Sequence, residues 1–175
     1  MMLGIVMGIK RLSVAIVFSM LAACGFHLAG SGSLPAAMQS TYLDSSAPHS
    51  EFFGILSEVL RRRGLDLVDT GSSAGARLII TEDTSGQRVL SVTARNIPRE
   101  YEVFYVVSFS LQAEDSFLIQ DELLVARRNY TYDETQVLGK EREESLLRRA
   151  LAEDLARQLV RRIEALTTAG SRTVG

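Results

Sequence analysis

From Tyr101 onward the chain alternates. Tyr101, Val103, Tyr105, Val107, Phe109, Leu111 and Ala113 fall on one side, and Glu102, Ser108, Ser110 and Gln112 on the other. A period of two sustained over residues 101–113 predicts a long β-strand with one face in a core. Phe104 and Val106 interrupt the polar side near its start, so that end of the second face calls for a cover. After a turn around Glu114, Asp115, Ser116 and Asp121, residues 123–132 read as the antiparallel partner strand, carrying Arg127, Arg128, Tyr130 and Tyr132.

Upstream, residues 41–43 read as a short first strand and 65–68 as a stub of another. Two β-branched runs, 77–81 and 89–94, are separated by a polar stretch that reads as a turn at Gly86. Ser50 is placed to cap a helix with Phe52, Phe53, Leu56, Val59 and Leu60 at helical spacing, Arg61, Arg62 and Arg63 in its last turn and Gly64 just beyond. A second, longer helix is expected over 141–166. Leu147, Leu151, Leu155, Leu159 and Ile163 form its apolar row, with Leu146, Ala150, Val160 and Leu166 alongside. Both stripes can be buried together only if both helices lie on one face of the sheet. The predicted fold class is therefore α+β, a two-layer α/β sandwich on a mostly antiparallel sheet of four strands or slightly more. The second sheet face stays open, and its apolar residues invite a partner.

The N-terminus carries a different message. Lys10 and Arg11 precede an apolar run over 12–20, shorter than the roughly 20 residues a bilayer span needs. The run ends in Leu21-Ala22-Ala23-Cys24, the pattern of a lipoprotein signal with its processing site before the chain's only cysteine. Initiation at Met7 in place of Met1 or Met2 would leave a conventional short charged region. The expected organisation is a signal peptide over 1–23, a lipidated Cys24 with a Gly/Ser-rich tether to residue 40, one domain over 41–166 and a tail over 167–175. Diacylglycerol on the sulfur and palmitate on the nitrogen of Cys24 would be the only prosthetic chemistry.

Removing 1–23 leaves 152 residues, enough for one core, with 17 basic against 21 acidic side chains. That balance speaks against general nucleic-acid binding. No cysteine remains for a disulfide. His27 and His49 lack partners at metal-ligand spacing, and there is no nucleophile elbow or phosphate loop, so neither a metal site nor catalysis is expected.

The stretch Cys24-Gly25-Phe26-His27-Leu28-Ala29-Gly30 resembles the opening of the LPS-assembly lipoprotein family, LptE, in which Arg usually stands where this chain has Ala29. Leu34-Pro35-Ala36-Ala37-Met38, Tyr42-Leu43-Asp44-Ser45, Leu65-Asp66-Leu67-Val68-Asp69, the Arg95-Asn96 pair and the helix after Lys140 follow in the family's order. The resemblance implies a plug inside the large outer-membrane β-barrel LptD. It would help that barrel to assemble and deliver lipopolysaccharide to the outer leaflet. The family's lipopolysaccharide-binding basic positions would fall on Arg95 and Lys140, with Arg99, Arg127 and Arg128 as weaker candidates. Lipid A carries phosphates, which Arg and Lys bind by charge-assisted hydrogen bonds. Gly25 beside the cysteine, where an inner-membrane lipoprotein commonly has Asp, favours the outer membrane. The alternative reading is an independent periplasmic lipoprotein that binds a lipid or peptide alone.

Overall fold

The computed structural model describes residues 33–131 and 137–172, with side chains of the last helix described over 142–167. Cys24 lies outside the described residues, which all belong to one compact unit, residues 32–175. In chain order the elements are β1 (Ser40–Ser45), α1 (Glu51–Arg62), β2 (Asp66–Val68), β3 (Ala76–Val92), β4 (Pro98–Ala113), β5 (Ser116–Thr131) and α2 (Val137–Arg172). The five strands form one sheet in the order β2-β1-β3-β4-β5. β1 runs parallel to both of its neighbours, and β3, β4 and β5 form an antiparallel meander. The parallel pairing follows from α1, which crosses over between β1 and β2 as parallel strands require.

The α1 signals act as their chemistry dictates. The Ser50 hydroxyl accepts from the Phe53 amide at 3.0 Å. Gly64 takes φ +84°; its amide reaches the Arg61 carbonyl at 2.9 Å, and the Leu65 amide reaches the Leu60 carbonyl at 3.2 Å. Those two bonds make a Schellman ending, sealed by buried Leu65. Gly64→Ala is expected to cost about 1–2 kcal/mol, the penalty of a Cβ in left-handed backbone, measured by urea unfolding.

Phe52, Leu56 and Leu60 of α1 and Leu151, Leu155, Leu159 and Ile163 of α2 pack into one core with Val103, Val107, Phe109 and Leu111 of β4. Both helices thus cover the same sheet face, the α+β sandwich expected. The flank of α2's buried row differs from the expected one. Val160 is buried as expected, but Ala152 and Ala156 are buried beside it whereas Leu146 and Ala150 are exposed, because helix and sheet meet one residue further round the helix. The helix is also longer than 141–166 and continues to Arg172, so 167–172 are helical. At the other boundary, Met38 in a 3-10 turn over Ala36–Gln39 is fully buried, so the folded body starts before residue 41.

Two strand expectations need correction. The runs 77–81 and 89–94 belong to a single strand, β3, and Gly86 sits in its middle. Gly86 pairs with Phe104, and a Cβ on it would lie 2.8 Å from the Phe104 ring. Close approach of an aromatic ring, and not a turn, suits glycine there. β5 begins at Ser116, seven residues earlier than read, and Asp121 is an irregularity within it at φ +47°. The Asp121 amide is held by the Ser110 hydroxyl at 2.9 Å, which stabilises the kink without breaking the strand.

The layers are pinned through polar contacts as well. Asp83 accepts the Tyr105 hydroxyl at 2.8 Å and the Ser50 hydroxyl on its other oxygen, tying the α1 cap to the middle of the sheet. Burial first, then the hydrogen bond to Asp83, pushes the Tyr105 hydroxyl well above its ordinary pKa. Arg63 pairs with Glu164 between the helices, and Arg162 Nε stands 2.5 Å from Glu122 Oε1, joining α2 to β5.

Candidate functional site

The β3–β4 connection is a tight loop whose chemistry is local. The Thr93 amide donates to the Ile97 carbonyl at 2.8 Å, and the Asn96 amide donates to the Thr93 carbonyl at 2.9 Å. The Ile97 amide reaches the Thr93 hydroxyl at 3.2 Å. Asn96 takes φ +62°, so residues 94–96 form a three-residue hairpin loop closed by a left-handed residue. Arg95 is thereby displayed, exposed, at the apex. Asn96→Val is expected to cost about 1–2 kcal/mol because a branched side chain is penalised in that conformation, while Asn96→Gly is tolerated; comparative thermal unfolding checks the order.

Arg99 follows Pro98 on β4, close to this loop and exposed. Glu100 pairs with Thr131, so β5 ends at the same end of the sheet. α2 starts six residues after Thr131, and Lys140 lies in its opening turn; the Lys140 side chain is outside the described residues. The backbone thus brings Arg95, Arg99 and the start of α2 to one end of the sheet. Arg127 and Arg128 sit further in, three to four residues before Thr131 or roughly 10–13 Å along the strand. They also part company. Arg127 pairs with Phe104 and shares the open face, whereas Arg128 pairs with Val103 and lies on the helix-covered side. Among the described residues none of these four arginines has a carboxylate within ion-pair distance.

Sequence reasoning missed the composition of the open face. Val106 pairs with Val125, and Ser108 with Leu123. Val125 and Leu123 are 39% and 57% exposed, and they extend the partly covered Phe104 and Val106 into one apolar patch. Arg88 and Glu102 flank it. Arg88 Nη2 stands 2.7 Å from Glu102 Oε1, an ion pair although no N–H is aligned on that oxygen. The alternation of 123, 125 and 127 carried this signal, but the partner residues become legible only from the register.

On the helix side of the same end, Tyr101 and Tyr130 stack with centroids 5.5 Å apart, and the Tyr130 hydroxyl donates to Gln87 at 3.0 Å. Burial, then the charge of Glu144, raises the Tyr130 pKa. The Tyr130 hydroxyl therefore stays protonated at neutral pH and adds a neutral aromatic group to this cationic end. His49 is exposed in a loop, and among the described residues no three His, Cys, Asp or Glu side chains come together to hold a metal.

Residues 38–163 match the family model LptE, described as lipopolysaccharide-assembly. The chain is 27% identical over 156 residues to the LPS-assembly lipoprotein LptE of Pectobacterium atrosepticum, covering 87% of this chain and 82% of that protein. It is 26% identical over 145 residues to the protein of the same name from Yersinia enterocolitica, covering 81% of this chain and 69% of that one. Among solved structures, the crystal structure of rare lipoprotein B from Shewanella oneidensis is similar at a TM-score of 0.64 and 25% identity, over 76% of this chain and 98% of that one. A solution structure of a lipoprotein B from Nitrosomonas europaea shares the fold at a TM-score of 0.70 and 24% identity, over 85% and 96% of the two chains.

Proposed function

Because this chain belongs to the LptE lipopolysaccharide-assembly family, we propose that it is the non-catalytic plug of a lipopolysaccharide-translocating barrel of the LptD type, forming a heterodimer with it and handing cargo toward the outer leaflet. It is anchored by acyl chains on Cys24 to the outer membrane, with residues 25–33 as the link to the folded body. The domain occupies the barrel lumen on its periplasmic side. The outer side of the helical layer sets the charged Glu58, Arg62, Arg149, Glu153 and Arg157 around Ile55 and Val59, as suits a water-filled lumen whose wall is polar.

The observation that carries the cargo half of this reading is the cationic end of the sheet. Arg95 is held at the apex by the Asn96 loop, with Arg99 beside it and Lys140 at the start of α2. Phosphates of lipid A would be gripped there by charge-assisted hydrogen bonds. Arg127 on the open face, next to Phe104, Val106 and Val125, extends the cation row toward an apolar surface that suits acyl chains or the barrel wall. Depletion in the native host tests the reading. Loss of surface lipopolysaccharide together with a misfolded or missing barrel is the expected result. Normal surface lipopolysaccharide, with this chain a free monomer, would favour the independent lipid- or peptide-binding lipoprotein instead.

A further inference from the structure

At the opposite end of the sheet the register aligns Thr41 with Ala76, Ala76 with Ala113, and Ala113 with Ser116. The start of β1 and the β4–β5 turn therefore share one end. Residues 33–40 enter the fold there. Their path is fixed by buried Met38, by the Gly75 amide donating to the Ser40 carbonyl at 2.8 Å, and by Gly75 itself, where a Cβ would lie 2.5 Å from the Ala37 carbonyl oxygen.

Beside that entry point β5, just after its turn from β4, carries two consecutive large apolar side chains in solvent, Phe117 at 50% and Leu118 at 41% exposure. A register shift makes this possible: Leu111 pairs with Ile119 but Gln112 with Phe117, so Leu118 is the extra residue. Ile119 takes the buried place, and Phe117 is turned to the face of Gln112. Val89 and Leu90 are a similarly exposed pair at the far end, but Phe117 and Leu118 include an aromatic ring and stand at the end where the chain enters from Cys24. From Cys24 to Ser33 is nine residues, a covalent reach of at most about 30 Å.

We propose that Phe117 and Leu118 rest in the interface of the bilayer that holds the acyl chains, as a second, protein-borne contact beside the lipid anchor. This rests on the reading of Cys24 as lipidated. An aromatic ring and a leucine favour the headgroup boundary, and one acyl signal is reinforced by a second weak one. Glu114 and Asp115 form the turn and Asp121 follows, while Arg77 beside Gln112 is paired with Asp44, so the tip is net acidic. The surface it suits is zwitterionic phospholipid, because an anionic surface repels those carboxylates.

The chain contains no tryptophan, so one introduced indole reports alone. Phe117→Trp and Leu118→Trp are each compared with Val92→Trp, 51% exposed at the far end of the sheet, in the lipidated full chain on phosphatidylcholine vesicles containing brominated lipid. Both tip variants are expected to be quenched at least twofold more than Val92→Trp, and less on vesicles with added anionic lipid. Equal quenching of all three in protein that co-floats with the vesicles would overturn the proposal. Stronger quenching on anionic vesicles would overturn its zwitterionic preference. Failure to co-float would remove the lipid anchor itself, and flotation tells that failure apart from the others.

Discussion

Reversing both charges in an Arg95→Asp/Lys140→Asp variant is expected to weaken lipopolysaccharide binding about a hundredfold or more, since a hydrogen bond involving a charged group contributes about 1.5–3 kcal/mol. Two lost contacts, each replaced by repulsion, act in the same direction. Barrel association is expected to survive, because Arg95 sits on a hairpin apex away from the core. Arg161→Asp, an exposed reversal far along α2, is the control for net charge and is expected to change binding little. Arg99→Asp and Arg127→Asp should give smaller steps, and Arg128→Asp the smallest, because Arg128 lies on the helix-covered side of the sheet. Binding of labelled lipopolysaccharide to purified protein checks the series, and the same affinity in the double variant would remove the site.

Asp83→Ala is expected to cost about 3 kcal/mol of folding stability, because two hydrogen bonds to one carboxylate vanish and a buried donor is left unpaired. Tyr105 is 3% exposed, and its hydroxyl, 2.8 Å from Asp83, loses that acceptor. Ser50 loses its acceptor too, although it still caps α1 through the Phe53 amide. Tyr105→Phe in the Asp83→Ala background should cost little more, the mark of a coupled pair in a double-mutant cycle. A pH effect accompanies this. The folded state raises the Tyr105 pKa above the ordinary 10.0, so its contribution is intact below that value and is lost as pH rises beyond it. Urea unfolding at rising alkaline pH should show a steeper decline for the native chain than for Tyr105→Phe.

What could be read from the residues alone divides along physical lines. Signals confined to one turn of chain were legible: Ser50 and Gly64 bound α1 because capping and left-handed backbone are local chemistry. The alternation from Tyr101 was legible because burial imposes its period directly. Gly86 was not, since glycine serves a turn and a close approach equally well, and the Phe104 ring that decides between them comes from another strand. Asp83 looked like part of a polar loop; its partner Tyr105 lies across the β3–β4 pair, and only the register brings them together. For the candidate site, the Arg95-Asn96 pair was visible, and Asn96 supplies the reason, a left-handed loop residue that presents Arg95. Arg127 and Arg128 were grouped by proximity in sequence, yet adjacent strand residues face opposite ways, and the strand's parity already separates them.

The central claim is that this chain works inside an outer-membrane barrel. Its most direct measurement is photocrosslinking in the native host from single positions on β4 and β5 that face the open side of the sheet, Val106 and Val125, followed by purification of the tagged chain. The account predicts one large outer-membrane β-barrel protein recovered with the chain, crosslinked from those positions, and present in near-equal amount. Recovery of the chain alone, with no barrel protein captured from either position, would contradict it.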